Sequence, residues 1–439
     1  MLNDRYGNAL STSSAIARDH YVTAVDCFLA SNFGAEDAFS AAIEADQNFT
    51  LAHLGLARCL HVLGQGSDAR AALARARKIA NGLSPGEAGQ LQVLGLLIDG
   101  KAPLAYTAVR EHLLEFPRDA MVAQTCMGVF SLIGFSGQPG REAEHLAFTT
   151  SLAPAYGDDW WFQAQHAFAQ IEAGQLGAAE KTMLKAQAGN SRSGSTAHYQ
   201  AHIYYETGEQ RAGLDYLQGW VKDYDRRSLL HCHLSWHIAL WLLNEGRVTE
   251  MWQLIDKEIA PGAAWGPAIN VLTDMAALLY RAELVGVEVP AQRWQSVSEY
   301  ALASFPKTGL AFVDVHAAIA HAMAGNNEAL QKIIDEARGP AADVVKTLAQ
   351  AFDAIAAHDW SLAIVHLCEG MIDHARIGGS RAQRDLIEFA TTAALLKSGQ
   401  ADEARRMLSM RRPVIASDRL FADFSAKAQD GYCPRSLTR

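Results

Sequence analysis

Asp37–Ala80 reads DAFSAAIEADQNFTLAHLGLARCLHVLGQGSDARAALARARKIA. On both sides of Gly64 apolar residues recur at three- and four-residue spacing, and alanine and leucine dominate. That is the pattern of two amphipathic helices with a break between them. Ala57 stands seven residues before Gly64. A small side chain there lets two helices approach closely, and the glycine supplies the turn.

Working outward, the same pair of residues returns. Gly174 and Gly208 are 34 apart (208 − 174), and Gly246 follows after 38 (246 − 208). Ala167, Ala201 and Ala239 stand seven residues ahead of them, and Ala318 precedes Gly325 in the same way. From Gly246 to Gly325 is 79 residues (325 − 246), close to two periods, so a degenerate unit lies between. Its helices would be Ala268–Leu284 and the one after Pro290. Asp159–Ala173 and Ala178–Ala188 also read as amphipathic helices, and no series of alternating β-branched strands competes. Pro117, Pro139 and Pro154 punctuate a less regular stretch. The fold class is all-α.

A helix–turn–helix unit of about 34 residues resembles the tetratricopeptide repeat, which stacks into a right-handed superhelix, an α-solenoid. The expectation is a single continuous array of about seven helix pairs, closed enough to enclose an inner pocket. Residues 1–35 would be an N-terminal capping helix segment, 36–430 the array and 431–439 a C-terminal tail. A narrower resemblance rests on RYGNALSTSS (5–14), AHYQAHIYYETGE (197–209), HLSWHIAL (233–240), DMAALLYRAELVG (274–286), FVDVHAAIA (312–320) and GGSRAQRD (378–385). In this order they resemble the tetratricopeptide-repeat protein 38 family, which implies a fold and a set of polar residues but no reaction. Family members tend to read Trp-Ala ahead of the first histidine pair, where this chain has Ser195-Thr196-Ala197.

With 439 residues, 49% of them hydrophobic, the chain can bury a large core. Its net charge of −10 and the lack of a Lys/Arg cluster argue against a nucleic-acid partner or an anionic membrane surface. The six cysteines are scattered, as in reduced cytosolic proteins. The polar N-terminus has no apolar segment of the secretory kind, and no apolar run reaches a membrane span. The expected setting is cytoplasmic. A homo-oligomer stays open, because the ends of a repeat array expose apolar faces.

Two histidine pairs carry the functional reading. His198 and His202 are four apart, as are His233 and His237, and both members are displaced by one repeat (233 − 198 = 35, 237 − 202 = 35). Four-residue spacing puts both rings on one helix face, and stacked repeats would set the pairs side by side. In such repeats the first helix lines the inner surface. Counting thirteen, ten, nine and six residues back from Gly208 gives Ser195, His198, Tyr199 and His202. From Gly246 the count gives His233, Trp236, His237 and Leu240, and from Gly174 Trp161, Ala164, Gln165 and Phe168. His316 falls nine before Gly325. Tyr205 adds a wall, and Glu206 and Asn244 stand two residues before their glycines.

Three readings follow. Four imidazoles with Asp314 or Glu206 would hold a divalent transition metal. Alternatively, the histidines do metal-free acid–base chemistry or bind a small ligand, with Asp314 orienting one of them across repeats, for example His237. The third is the ordinary use of the fold, a groove for a peptide or protein, although a carboxylate clamp of Lys, Arg and Asn is absent from the inner positions. Cys232 points away from its histidine neighbours, which disfavours a Cys–His nucleophile. Asp274 and Arg281 would either bind an anionic ligand group or pair between helices. In GGSRAQRD, Ser380 would cap a helix, with Arg384 and Asp385 making an inter-helix ion pair or facing an anion.

Overall fold

A computed structural model describes residues 2–411. Within them are twenty-two α-helices; apart from Ala120–Ala123 and Arg141–Tyr156 they follow one another as ten helix–turn–helix pairs (20/2), and the only strands are Leu2–Asn3 and Ala9–Leu10, joined antiparallel. The chain is an α-solenoid of tetratricopeptide-like pairs. The periodicity suggested about seven, and the difference has a local cause. At the turns marked by Gly100, Gly286 and Gly399 the residue seven earlier is Val93, Leu279 or Thr392 rather than alanine. At His358 the left-handed turn position (φ 57°) is held without glycine. The array end expected at residue 430, the tail 431–439 and Cys433 lie outside the described residues.

Six inner helices matter for the site. They are α1 (Trp160–Glu172), α2 (Gly194–Thr207), α3 (His231–Asn244), α4 (Ala268–Leu284), α5 (Ala311–Met323) and α6 (Arg381–Lys397). Helices α1 to α5 are first members of consecutive pairs and pack side by side. Helix α6 returns to lie against α4 and α2, so the superhelix closes on itself. Two seams hold the closure. Near the start of the chain, Ser195 N donates to the Ala30 carbonyl at 3.1 Å, the Ser31 and Ser195 hydroxyls meet at 2.8 Å, and Phe33 N donates to Ser228 Oγ at 3.1 Å. At the other seam Arg141 donates to the carbonyls of Ala375 (2.6 Å) and Gly379 (2.5 Å).

Where the prolines made the sequence irregular, the array is broken. The helix Ala120–Ala123 runs into a 3-10 turn ending at Cys126, and no α-helix forms again until Arg141. The loop between them crosses the inside of the superhelix. Its Phe130 and Phe135 rings stack at 5.2 Å, and Phe130 meets Phe312 of α5 at 5.5 Å. Among the described residues no helix is long and apolar enough to cross a membrane.

Candidate metal centre

Ser193 caps α2 by accepting from Thr196 N at 3.2 Å, which anchors the helix that presents His198 and His202. The next repeat presents His233 and His237 from α3. Ring centroids are 4.6 Å apart for His198–His202, 4.7 Å for His198–His233, 4.8 Å for His202–His237 and 5.0 Å for His233–His237. One nitrogen from each of the four rings lies within 4.8 Å of the other three. All four residues are buried, His202 and His237 completely.

The hydrogen bonding is incomplete in an informative way. His198 Nε2 and His202 Nε2 face each other at 2.9 Å, so only one of them can carry a proton. His202 Nδ1 and both nitrogens of His237 have no hydrogen-bond partner. An unmet buried polar group costs about 1–3 kcal/mol, and packing alone gives no reason to gather three. His233 differs, because its Nδ1–H donates to both oxygens of Asp274 on α4, at 2.8 and 3.0 Å. That bond leaves Nε2 of His233 as the free lone pair, the arrangement by which a carboxylate orients a metal-ligating histidine.

Electrostatics favour the same form. Burial pushes His198 and His237 well below the usual histidine range, with the neighbouring imidazoles adding to the effect. His202 is pushed down to about 3, again by burial first and then by His233. Burial raises the Asp274 carboxyl, against the opposing pull of His233. Neutral imidazole is the ligand form. With metal–nitrogen bonds of about 2.0–2.1 Å, the donors of a tetrahedral site sit about 3.3–3.4 Å apart. The facing His198 and His202 nitrogens, at 2.9 Å, are already that close, and the widest separations in the set, up to 4.8 Å, would have to draw in by about 1.4 Å.

The centre borders a chamber of about 980 Å³. His198, His202 and His233 form part of its wall, and His237 lies outside the lining. Trp161 and Phe168 line it too. Phe168 stacks on Tyr199 at 4.2 Å and turns its ring edgewise to His202 at 5.1 Å. Tyr199 donates to Gln165 Oε1 at 3.2 Å. Phe130 and Phe135, on the loop after Cys126, line the chamber as well.

The remaining sequence-predicted residues go elsewhere. Asp314 accepts from Gly309 N at 2.8 Å at the start of α5, so the dyad suggested between Asp314 and His237 does not form. Its carboxyl is raised to about 6, chiefly by burial. His316 is not part of the four-ring group. Its Nδ1–H donates to the Phe312 carbonyl one turn back at 2.7 Å, and burial holds it at about 4. Tyr205 and Glu206 face α6 rather than the chamber, with Tyr205 donating to Asp385 (3.0 Å) and Glu206 pairing with Arg381 (3.3 Å). Arg281 donates to the Ala382 carbonyl at 2.7 Å, so it fastens α4 to α6, while Asp274 serves His233. Ser380 caps α6 in a reciprocal pair with Gln383, and Arg384 reaches Glu142 at 2.7 Å.

Two features escaped the sequence reading. The Asp274–His233 bond had a signal, since a carboxylate in the apolar middle of α4 needs a partner, and α3 is the preceding inner helix. Trp236, which stacks on His233 at 5.1 Å, had only its place on the inner-face count.

The tetratricopeptide repeat family model matches residues 34–85. The human IFIT1 dimer with PPP-AAAA is similar over 98% of this chain and 97% of that one, at 13% identity and a TM-score of 0.45. An IFIT1 monomeric mutant with Gppp-AAAA gives 13% identity, 98% of each chain and a TM-score of 0.46. Naa15/Naa10 bound to HypK-THB gives 12% identity, 94% of this chain and 66% of that one, with a TM-score of 0.25.

Proposed function

We propose that this protein holds a divalent transition metal on His198, His202, His233 and His237 and presents it to a small ligand in the adjoining chamber. One observation carries the reading: four buried imidazoles converge within 4.8 Å with three nitrogens unmet by the protein. All-imidazole donors suit zinc, copper, iron or nickel. Three of the rings line the chamber, so a ligand entering it meets the metal from that side. Such a metal would supply Lewis acidity toward a bound oxygen or nitrogen. The chamber volume falls within the range of small-molecule sites, about 300–1,000 Å³, which favours a small ligand over a long peptide. To this proposal belong membership of the tetratricopeptide-repeat protein 38 family, a helical array behind a 1–35 cap, and a cytoplasmic setting.

The Asp274–His233 pair favours a second reading, in which the site is metal-free and His233 moves a proton to or from the ligand. Elemental analysis separates the two. Untagged protein should carry about one equivalent of a transition metal, and His198→Ala/His237→Ala should carry none while keeping its helical circular dichroism. No metal in the wild type after adding zinc, iron, manganese, nickel and copper in turn would leave acid–base chemistry or a protein-binding scaffold.

A further inference from the structure

The chamber has a second polar end. Arg58, on the helix Thr50–Val62, belongs to its wall and is only 8% exposed. Among the described residues it makes no ion pair. Its guanidinium donates to two neutral acceptors, His61 Nδ1 at 3.0 Å and Gln124 Oε1 at 3.1 Å, and its Nε has no partner. The Phe28 ring lies 5.8 Å away. Glu144, the carboxylate of the same chamber, is engaged by the Tyr106 hydroxyl and lies 3.6 Å from Arg110. A buried charge without a counter-charge is costly, and the usual remedy is a carboxylate neighbour. Here the neighbours are neutral. Because His61 Nδ1 accepts from Arg58, its proton sits on Nε2 as a further donor, and burial beside Arg58 holds the ring neutral at about 4.

We infer that Arg58 and His61 form an anion subsite that receives the carboxylate of an amphipathic organic monoacid, whose apolar body occupies the chamber leading to the histidine centre; Gln124, whose Nε2 donates to the Met121 carbonyl at 2.9 Å, holds the guanidinium in place. A single fixed cation balances a single negative charge, which suits a carboxylate better than a phosphate dianion. The walls between the two ends include Phe28, Met127, Phe130, Trp161 and Phe168, apolar surface that a fully polar acid would leave unused. The inference rests on the proposed function only in taking the chamber as the ligand site.

The test uses the full chain, stripped of metal with EDTA, in isothermal titration calorimetry. The probes are 4-phenylbutyrate, its neutral analogue 4-phenylbutyramide, and inorganic phosphate. 4-Phenylbutyrate should bind wild type at least about tenfold more tightly than the amide. Arg58→Gln should abolish that preference, and Arg58→Lys should keep part of it. Thermal melting of Arg58→Gln should match or exceed wild type, because a buried unpaired charge has gone; should Arg58→Gln not fold, Arg58→Lys and the acid-over-amide ratio in wild type still decide. Equal affinity for acid and amide, no binding of either, or an unchanged preference in Arg58→Gln would overturn the inference. So would phosphate that displaces 4-phenylbutyrate. Metal content measured on the same preparations before stripping keeps the two proposals apart. Wild type that carries metal but shows no acid-over-amide preference removes only the subsite, and wild type that shows the preference but carries no metal removes only the metal centre.

Discussion

Two buried polar clusters lie within the same closed superhelix, and they are built on opposite principles. In the four-histidine centre imidazole meets imidazole and three nitrogens have no partner. At the seam where α6 meets the first half of the chain, opposite charges meet. Arg384 pairs with Glu142 at 2.7 Å and lies 3.9 Å from Glu172, Arg381 N donates to Glu172 at 3.0 Å, and the Arg381 side chain pairs with Glu206 at 3.3 Å. The seam sets charge against charge and leaves a single buried nitrogen of these residues, Arg384 Nε, without a hydrogen-bond partner. The histidine centre leaves three on two adjoining rings, and an outside atom would complete it. Burial and polarity are common to both; what separates a candidate site from a joint is the unmet valence.

The comparison breaks most visibly through Arg384. Replacing it by Ala takes a cation from buried Glu172 and leaves half-buried Glu142 with Arg141 alone; losing one member of a buried pair costs about 3–5 kcal/mol. Urea unfolding of Arg384→Ala should show that loss, while metal content per folded chain stays that of wild type. A seam variant that lost metal and kept stability would reverse the roles assigned to the two clusters.

Glu172 sharpens the contrast through pH. Burial raises its carboxyl to about 7, with Glu206 and Glu142 raising it further and Arg384 and Arg141 opposing. A folded-state value above the unfolded one means the folded chain holds the proton more tightly. The associated stability is therefore full below about pH 4.5 and fades as pH rises through 7. Glu172→Gln should remove that slope, gaining on wild type by at most about 3 kcal/mol between pH 4.5 and 8. Melting temperatures for both proteins across that range supply the check; parallel curves would show that Glu172 does not titrate there.

In the histidine centre the matching change is Asp274→Asn, which keeps the shape and removes the carboxylate. Loss of such an orienting partner typically weakens metal binding 10- to 100-fold, about 1.4–2.7 kcal/mol. Competition with a chromophoric chelator would read it. Unchanged affinity would mean that His233 needs no orientation from α4.

How much of this was legible follows from the same contrast. The histidine pairs were readable because the repeat is local: a displacement of 35 in sequence becomes one step between neighbouring inner helices. Helix class, the glycine turns and the Ser380 cap were readable for the same reason. The seam was not, since Arg141 meets Gly379 across 238 residues and no short-range pattern encodes the superhelix's return. Asp314 was matched to the wrong partner because its side chain is spent on Gly309 N, a local bond at the start of α5 that hydrophobic periodicity does not register. The loop after Cys126 appeared only as irregularity, a break in period rather than a positive signal.

The smallest expected effect tests the repeat itself. Gly64 has φ 80°, and a Cβ there meets nothing within 4 Å. Gly64→Ala therefore isolates the left-handed backbone cost, about 1 kcal/mol. Gly379, at the seam, has nearly the same φ of 75°, but a Cβ there would overlap the Phe312 ring. Its alanine variant should lose the same backbone term plus an overpacking cost of about 1–3 kcal/mol. The difference between the two in one denaturant series measures how tightly the closure is packed, free of the turn's own preference. Equal losses would mean that Phe312 yields readily and that the chamber's wall is looser than the contacts between Phe312 and Phe130 imply.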